Sequence, residues 1–275
     1  MSHARLNSQI DLNVPGTASM FDEVSLWASR FGALLLDQIE IRPDLAGPSG
    51  LDVLDIGCGT GFPLIELAAL HGEGCRFTGV DTWADAVARA RQKIAWLDMP
   101  HVQVIEADAA RLPFAEASFD LLVSNLGLNN FARPDAVFAE CARVARPGAR
   151  LAITTNTRDH MREVYDIFRA VLDARYLPVI QAHVEHRATR QQLEQRYAAA
   201  GFAVTRVVES QFAMTFASGA ALLRHPLTRW FGWRDLVSEQ DFDHTCQAIE
   251  ARIDRPIRTT VPMLYIEGEY RGRSR

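Results

Sequence analysis

The stretch Val53-Leu54-Asp55-Ile56-Gly57-Cys58-Gly59-Thr60-Gly61 decides the fold class. Its first half is an apolar run of the kind that forms a buried strand, interrupted by one acid. Its second half alternates glycine with other residues, and Pro63 then opens a helical pattern over residues 64–70. A strand, a tight turn and a helix begin a β-α-β unit. Glycines in that turn permit positive φ and let a ligand approach the backbone. The spacing is G-x-G-x-G. A dinucleotide fingerprint needs G-x-G-x-x-G, and Phe62 stands where its third glycine belongs. A phosphate loop needs Lys-Ser/Thr after its last glycine, and this chain has neither there. Both phosphate-binding readings are weakened.

Working outward, the pattern alternates. Strands are predicted over residues 76–80, 102–106, 119–124 and 150–154, and helices over 83–97 and 135–145, the latter closed by Pro147-Gly148. This implies an α/β fold, a doubly wound parallel sheet covered by helices on both faces. Upstream, Met20, Phe21, Val24, Trp27, Phe31, Leu34 and Leu35 recur at helical spacing. Downstream, helices are expected over 159–172 and 189–200, strands over 202–209 and 260–267, and a long segment over 218–255 carries Trp230, Phe231 and Trp233. One domain over residues 1–275 is expected. It comprises an arm and helix (1–48), a core (50–155) and helical insertions (156–200 and 214–258) that build a cap.

Composition bounds the function. The chain has 275 residues, 48% hydrophobic and 23% charged, which excludes disorder, collagen and coiled coil as the main architecture. No apolar run approaches the ~18 residues of a membrane span. The charge, 29 basic against 34 acidic residues or −5, argues against a broad nucleic-acid surface. The basic cluster Arg271-Gly272-Arg273-Ser274-Arg275 reads as a solvated tail. The polar first 16 residues offer no signal-peptide core. Cys58, Cys75, Cys141 and Cys246 form no C-x-x-C, and reduced thiols in a cytoplasmic protein are expected.

Three acids stand at the carboxyl ends of successive strands: Asp55, Asp81 and Asp108. Asp81, twenty residues past Gly61, is placed to accept both hydroxyls of a ribose. Asp108, in Glu106-Ala107-Asp108-Ala109, is placed to meet the exocyclic amine of a base. One such Asp is ordinarily a turn residue, but three in series are harder to dismiss.

With these motifs the chain resembles the class I S-adenosylmethionine (SAM)-dependent methyltransferases. The residues that carry the resemblance are 53–61 and Gly79-Val80-Asp81, then 108–114, then Ser118-Phe119-Asp120-Leu121-Leu122-Val123-Ser124-Asn125, and finally Pro147-Gly148-Ala149-Arg150-Leu151. It covers residues 50–155 in order and is closest to the quinone-ring and biotin-precursor branch. It implies a seven-stranded, Rossmann-like, mostly parallel sheet whose last strand is antiparallel. It also implies SAM as cofactor, with S-adenosyl-L-homocysteine as product. The implied cofactor residues are Asp55, Gly57, Cys58, Gly59 and Gly61 around the methionine part. Asp81 would take the ribose, Thr82 or Trp83 would cover the adenine, and Asp108 and Ala109 would read its edge. Asn125 and Leu126 would lie beside the ammonium. Amino-group methyltransferases resemble one another in Asn/Asp-Pro-Pro-Tyr at this strand end. This chain has Asn125-Leu126-Gly127-Leu128, which disfavours nucleic acid as substrate.

Methyl transfer is a displacement at a sulfonium, and a base is needed only when the nucleophile holds its proton. His160, His183, His186, His225 and His244 are the base candidates, and His160, just past the fifth strand, ranks first. His183 and His186, spaced i and i+3 with no third ligand, make a poor metal pair, and no metal is expected. Asn129 and Asn130 border the site or simply form its turn. Trp230 and Trp233 make an aromatic lid or the cap's own core, with Arg224, Arg229 and Arg234 nearby. Met20, Phe21 and Trp27 either close over the cofactor or belong to the core. The expected activity is methylation at O or C of a small-molecule or carrier-borne acceptor. The alternative is a non-catalytic SAM-binding or scaffold protein on the same fold. A dehydrogenase is disfavoured by the glycine spacing.

Overall fold

Helices α1 (Thr17–Val24) and α2 (Leu26–Gln38) precede an alternation of β1 (Leu51–Ile56), α3 (Leu64–His71), β2 (Cys75–Asp81), α4 (Ala84–Trp96), β3 (Val102–Glu106), β4 (Phe119–Asn125), α5 (Pro134–Val144) and β5 (Ala145–Thr155). Then come α6 (Arg162–Val171), α7 (Leu177–Glu185), α8 (Arg190–Ala200), β6 (Phe202–Phe216), α9 (Gly219–Arg224), α10 (Phe242–Glu250) and β7 (Ile257–Tyr270). This computed structural model describes residues 16–24, 26–41, 50–226, 242–252 and 256–272. Among them, no helix is long and apolar enough to cross a membrane.

One seven-stranded sheet has the order β3-β2-β1-β4-β5-β7-β6. β1 pairs in parallel with β2 and β4, β2 with β3, and β4 with β5, whereas β7 runs antiparallel to β5. The predicted doubly wound sheet with an antiparallel last strand is therefore present. Strand order reverses between β1 and β4, the place where open α/β sheets leave a crevice.

The chain forms two compact units. Among the described residues, the first takes in those within 16–155, 190–209 and 264–272, the second those within 156–189 and 210–263. In the first, β1 buries Val53, Leu54, Asp55 and Ile56. One helical layer presents Leu64, Leu67 and Ala68 of α3 and Val87, Ala90 and Ile94 of α4 to a shared core. The apolar positions of α4 recur at three- and four-residue steps, so one stripe is buried. In the second unit, Val164, Tyr165 and Phe168 of α6 are buried. Glu163 there accepts the Thr259 hydroxyl (3.0 Å) and the Thr260 N–H (3.0 Å) and hydroxyl (2.7 Å).

Several boundaries differ from the sequence reading. The periodic stretch after residue 18 is two helices rather than one. β5 starts at Ala145 and carries Pro147-Gly148 inside it, because Ala145 pairs with Phe119 before a register shift. β6 runs on to Phe216, since a half-exposed strand tolerates the polar residues 209–211 that looked like an end. α8 lies in the unit of the sheet, not with the insertions. Its Tyr197 explains this: the ring packs edge-on against Phe138 at 5.4 Å, and the hydroxyl donates to the Ile266 carbonyl at 3.0 Å. Trp230, Phe231, Trp233, Arg229 and Arg234 lie outside the described residues.

Gly79 sets how closely α3 and the glycine loop approach β2. A Cβ there would stand 2.7 Å from both Cys58 Sγ and Leu64 Cδ2. Gly79→Ala is expected to destabilise the protein by about 1–3 kcal/mol through overpacking, read as a lower midpoint in thermal or urea denaturation.

Candidate active site

The loop after β1 turns on three glycines in left-handed conformation: Gly57 (φ +77°), Gly59 (φ +53°) and Gly61 (φ +103°). The Gly57 and Cys58 N–H groups donate to the Val80 carbonyl at 2.8 and 3.1 Å, which continues the β1–β2 ladder into the loop. Asp81 then fixes the loop's tip. One of its oxygens accepts the Gly59 N–H and the other the Trp83 N–H, both at 2.9 Å. Hydrogen bonds to a charged acceptor contribute about 1.5–3 kcal/mol each. A carboxylate offers roughly four lone-pair sites, so capacity for a diol is left over. A Cβ on Gly59 would meet nothing within 4 Å, so the backbone there lies open to a ligand.

Asp55 is wholly buried, and neither carboxylate oxygen has a hydrogen-bond partner of standard geometry. Burial, and next the negative charge of Asp81, push its pKa up to about 8. The Leu64 N–H near α3's start offsets only part of that. At neutral pH this carboxyl keeps its proton until a cation arrives to stabilise the ionised form.

The β4 end faces the same crevice. The Asn125 side-chain carbonyl accepts the Thr154 hydroxyl at 2.8 Å. Leu126, left-handed at φ +62°, donates its N–H to the Thr154 carbonyl at 2.8 Å. A branched residue in this conformation is strained, and such strain gathers at functional sites. Gly127 follows because a Cβ would collide with Ser124 Oγ (2.6 Å) and the Ile56 carbonyl (2.9 Å). The Phe131 ring stands 3.5 Å from where a Gly57 Cβ would be, so the glycine loop and the β4 loop are neighbours. Asn129 donates to the Thr155 hydroxyl at 3.0 Å, while Asn130 is exposed.

The other predicted residues are placed less uniformly. Thr82 is exposed and Trp83 half-buried, with the Phe21 ring edge-on to the indole at 5.8 Å. Ala109 is buried. Asp108 is exposed: it accepts the Ala110 N–H (2.8 Å) and pairs with Arg133 (2.9 Å). The Asp108 carboxylate is thus shared with Arg133. Arg133 carries no sequence signal for this role. Trp27 lies against Phe31, with ring centroids 5.0 Å apart.

His160 has a different environment from the one expected of a base. It is fully buried in the second unit. Burial first, then the charges of Arg187 and His183, hold its pKa well below the usual histidine range. So weak and enclosed an imidazole is a poor general base. His183 accepts or donates at the Tyr165 hydroxyl (3.0 Å), to which Arg187 donates at 3.3 Å.

Residues 54–153 match the protein family described as "Methyltransferase domain". This segment is a methyltransferase domain. The chain is 31% identical to a malonyl-[acyl-carrier protein] O-methyltransferase of Methylococcus capsulatus over 65% of its own length and 61% of that protein. It is 32% identical to a demethylmenaquinone methyltransferase of Clavibacter sepedonicus over 56% of its length and 65% of that protein. The chain thus spans under two thirds of the length of these curated relatives. YcgJ of Bacillus subtilis superposes with a TM-score of 0.61 at 16% identity, covering 89% of this chain and 99% of that one, a likeness of fold.

SAM is the cofactor of this domain family, and the crevice fits it. Asp55 is a buried carboxyl awaiting a cation, Gly59 is open backbone, and Asp81 has acceptor capacity to spare.

Asp55 has a pH signature. Its folded pKa lies above its unfolded value near 3.8, so its contribution to stability is full below pH ~4 and falls away as pH rises towards 8. Asp55→Asn is expected to raise the melting temperature of the ligand-free protein relative to wild type more at pH 8 than at pH 5, as scanning calorimetry at the two pH values would show.

Proposed function

We propose that this protein transfers a methyl group from SAM to O or C of a small-molecule or carrier-borne acceptor that ionises without help from a protein base. The observation that carries this reading is the joining of β1, β2 and β4 ends into one crevice, with Asp81 bonded to the glycine loop and Asp55 buried beside it. A bound SAM would supply an electrophilic methyl group on a sulfonium whose departure leaves a neutral thioether.

The chain's own residues would bind and orient. Asp81 accepts the ribose hydroxyls with lone pairs not used by Gly59 and Trp83. Asp55 ionises against the ligand's ammonium, and its proton leaves to solvent. Trp83 would cover the adenine, and Ala109 and Asp108 would meet its edge, Asp108 sharing its carboxylate with Arg133. Asn125 and the strained Leu126 shape the wall nearest the reacting atoms. Such a site works by alignment and by exclusion of water.

Two things support an already ionised acceptor. His160 is enclosed and weakly basic. A carboxylate, the group that the name of the malonyl-carrier relative suggests, needs no proton removed. Asn125-Leu126-Gly127 has no proline to build a carbonyl clamp for an amine, which supports O or C over N. Four cysteines buried as free thiols support a cytoplasmic setting.

The test is transfer of label from methyl-labelled SAM to malonyl-carrier and demethylmenaquinone-type acceptors. Label on such an acceptor at O or C is expected, with Asp81→Ala weakening SAM binding about tenfold or more through lost hydrogen bonds. Label on an amine, or unchanged affinity in Asp81→Ala, would overturn the assignment.

A further inference from the structure

Asp22 on α1 meets three partners that are distant in sequence. It accepts the Thr60 hydroxyl at 2.5 Å, the Lys93 ammonium at 2.8 Å and the Arg89 guanidinium at 3.0 Å. Lys93 also donates to the Thr60 carbonyl at 2.9 Å. Thr60 of the glycine loop is therefore held at both its hydroxyl and its carbonyl, by α1 and α4. One residue before Asp22, Phe21 lies edge-on to Trp83. α1 thus touches the crevice at two places, the glycine loop and Trp83, two residues past Asp81.

The cluster is chemically specific. One carboxylate faces two cations and a hydroxyl, and these partners hold its pKa below the usual range against the opposing effect of burial. The Asp22 side chain is 20% exposed and that of Lys93 27%, so the pairs are partly shielded from water. Partly buried charge pairs keep more of their attraction than exposed ones. A helix of eight residues is marginal alone and needs such anchors to stay in place.

We propose that Asp22 is a positioning residue: through Thr60 and Lys93 it clasps α1 onto the glycine loop, and this clasp sets how long the cofactor stays bound. The proposal rests on the SAM reading above. Release of a ligand lying along the loop requires α1 to lift, and α1 lifts only when the Asp22 contacts break. Asp22 would not touch the transferring methyl group, so its effect falls on ligand residence.

The experiment uses the full chain, with S-adenosylhomocysteine as probe. Its dissociation rate is followed by stopped flow in wild type, Asp22→Asn, Asp22→Glu and Thr60→Val. Hydrogen exchange over residues 17–24 and the melting temperature are measured beside it. Asp22→Asn is expected to release the probe about tenfold faster and to lose protection in α1, with the melting temperature little changed. Asp22→Glu should recover most of the residence time. Thr60→Val should speed release, and the double variant should be no faster than the worse single one, because both break the same link. Raised salt should hasten release from wild type more than from Asp22→Asn. A dissociation rate in Asp22→Asn within twofold of wild type, with α1 still protected, would overturn the clasp and leave the cofactor reading standing. A folded wild type that does not bind the probe would overturn both.

Discussion

The carboxylate of Asp81 accepting the Gly59 N–H is the contact on which the rest of the site depends. A loop with three glycines at positive φ has many conformations to lose, and its backbone N–H groups need partners. Asp81 ends the neighbouring strand, and the parallel β1–β2 register delivers it to the loop: Ile56, the last residue of β1, stands opposite Val80, the residue before Asp81. The register in turn is fixed by packing, because a slip of one residue would exchange Val53, Leu54 and Ile56 between the two covered faces of the sheet. Core packing thus reaches the ligand through one hydrogen bond.

The same arrangement sets the electrostatics. Two acids, Asp55 and Asp81, lie close enough to repel, and they resolve the conflict by environment. Asp81 is half-buried and bonded to two N–H groups. Asp55 is wholly buried, with only the Leu64 N–H to offset the loss of water, and keeps its proton. A cationic ligand removes the asymmetry by giving the second charge a partner.

Much of this was legible in the sequence. Glycine spacing, apolar runs and strand-end acids are local signals, and they were enough to place β1 to β5 and to put Asp55, Asp81 and Asn125 at strand ends. The long-range contacts were not legible. Asp22 reads as an ordinary helix-surface acid, and nothing nearby announces Thr60 thirty-eight positions on. Arg133 pairs with Asp108 across twenty-five positions, again without a motif. Pro147-Gly148 looked like a helix stop but lies within β5, since pairing to β4 overrides turn preference. His160 was attractive by position along the chain, while its burial is a tertiary fact.

The central claim is that the crevice recognises a SAM-type ligand and not a dinucleotide. Calorimetric titration of the purified, folded protein with S-adenosylhomocysteine, with NAD in a parallel run, tests it most directly. Saturable binding of S-adenosylhomocysteine with no heat from NAD is the predicted result. Binding of NAD, or no binding of S-adenosylhomocysteine by protein freed of carried-over ligand, would contradict it.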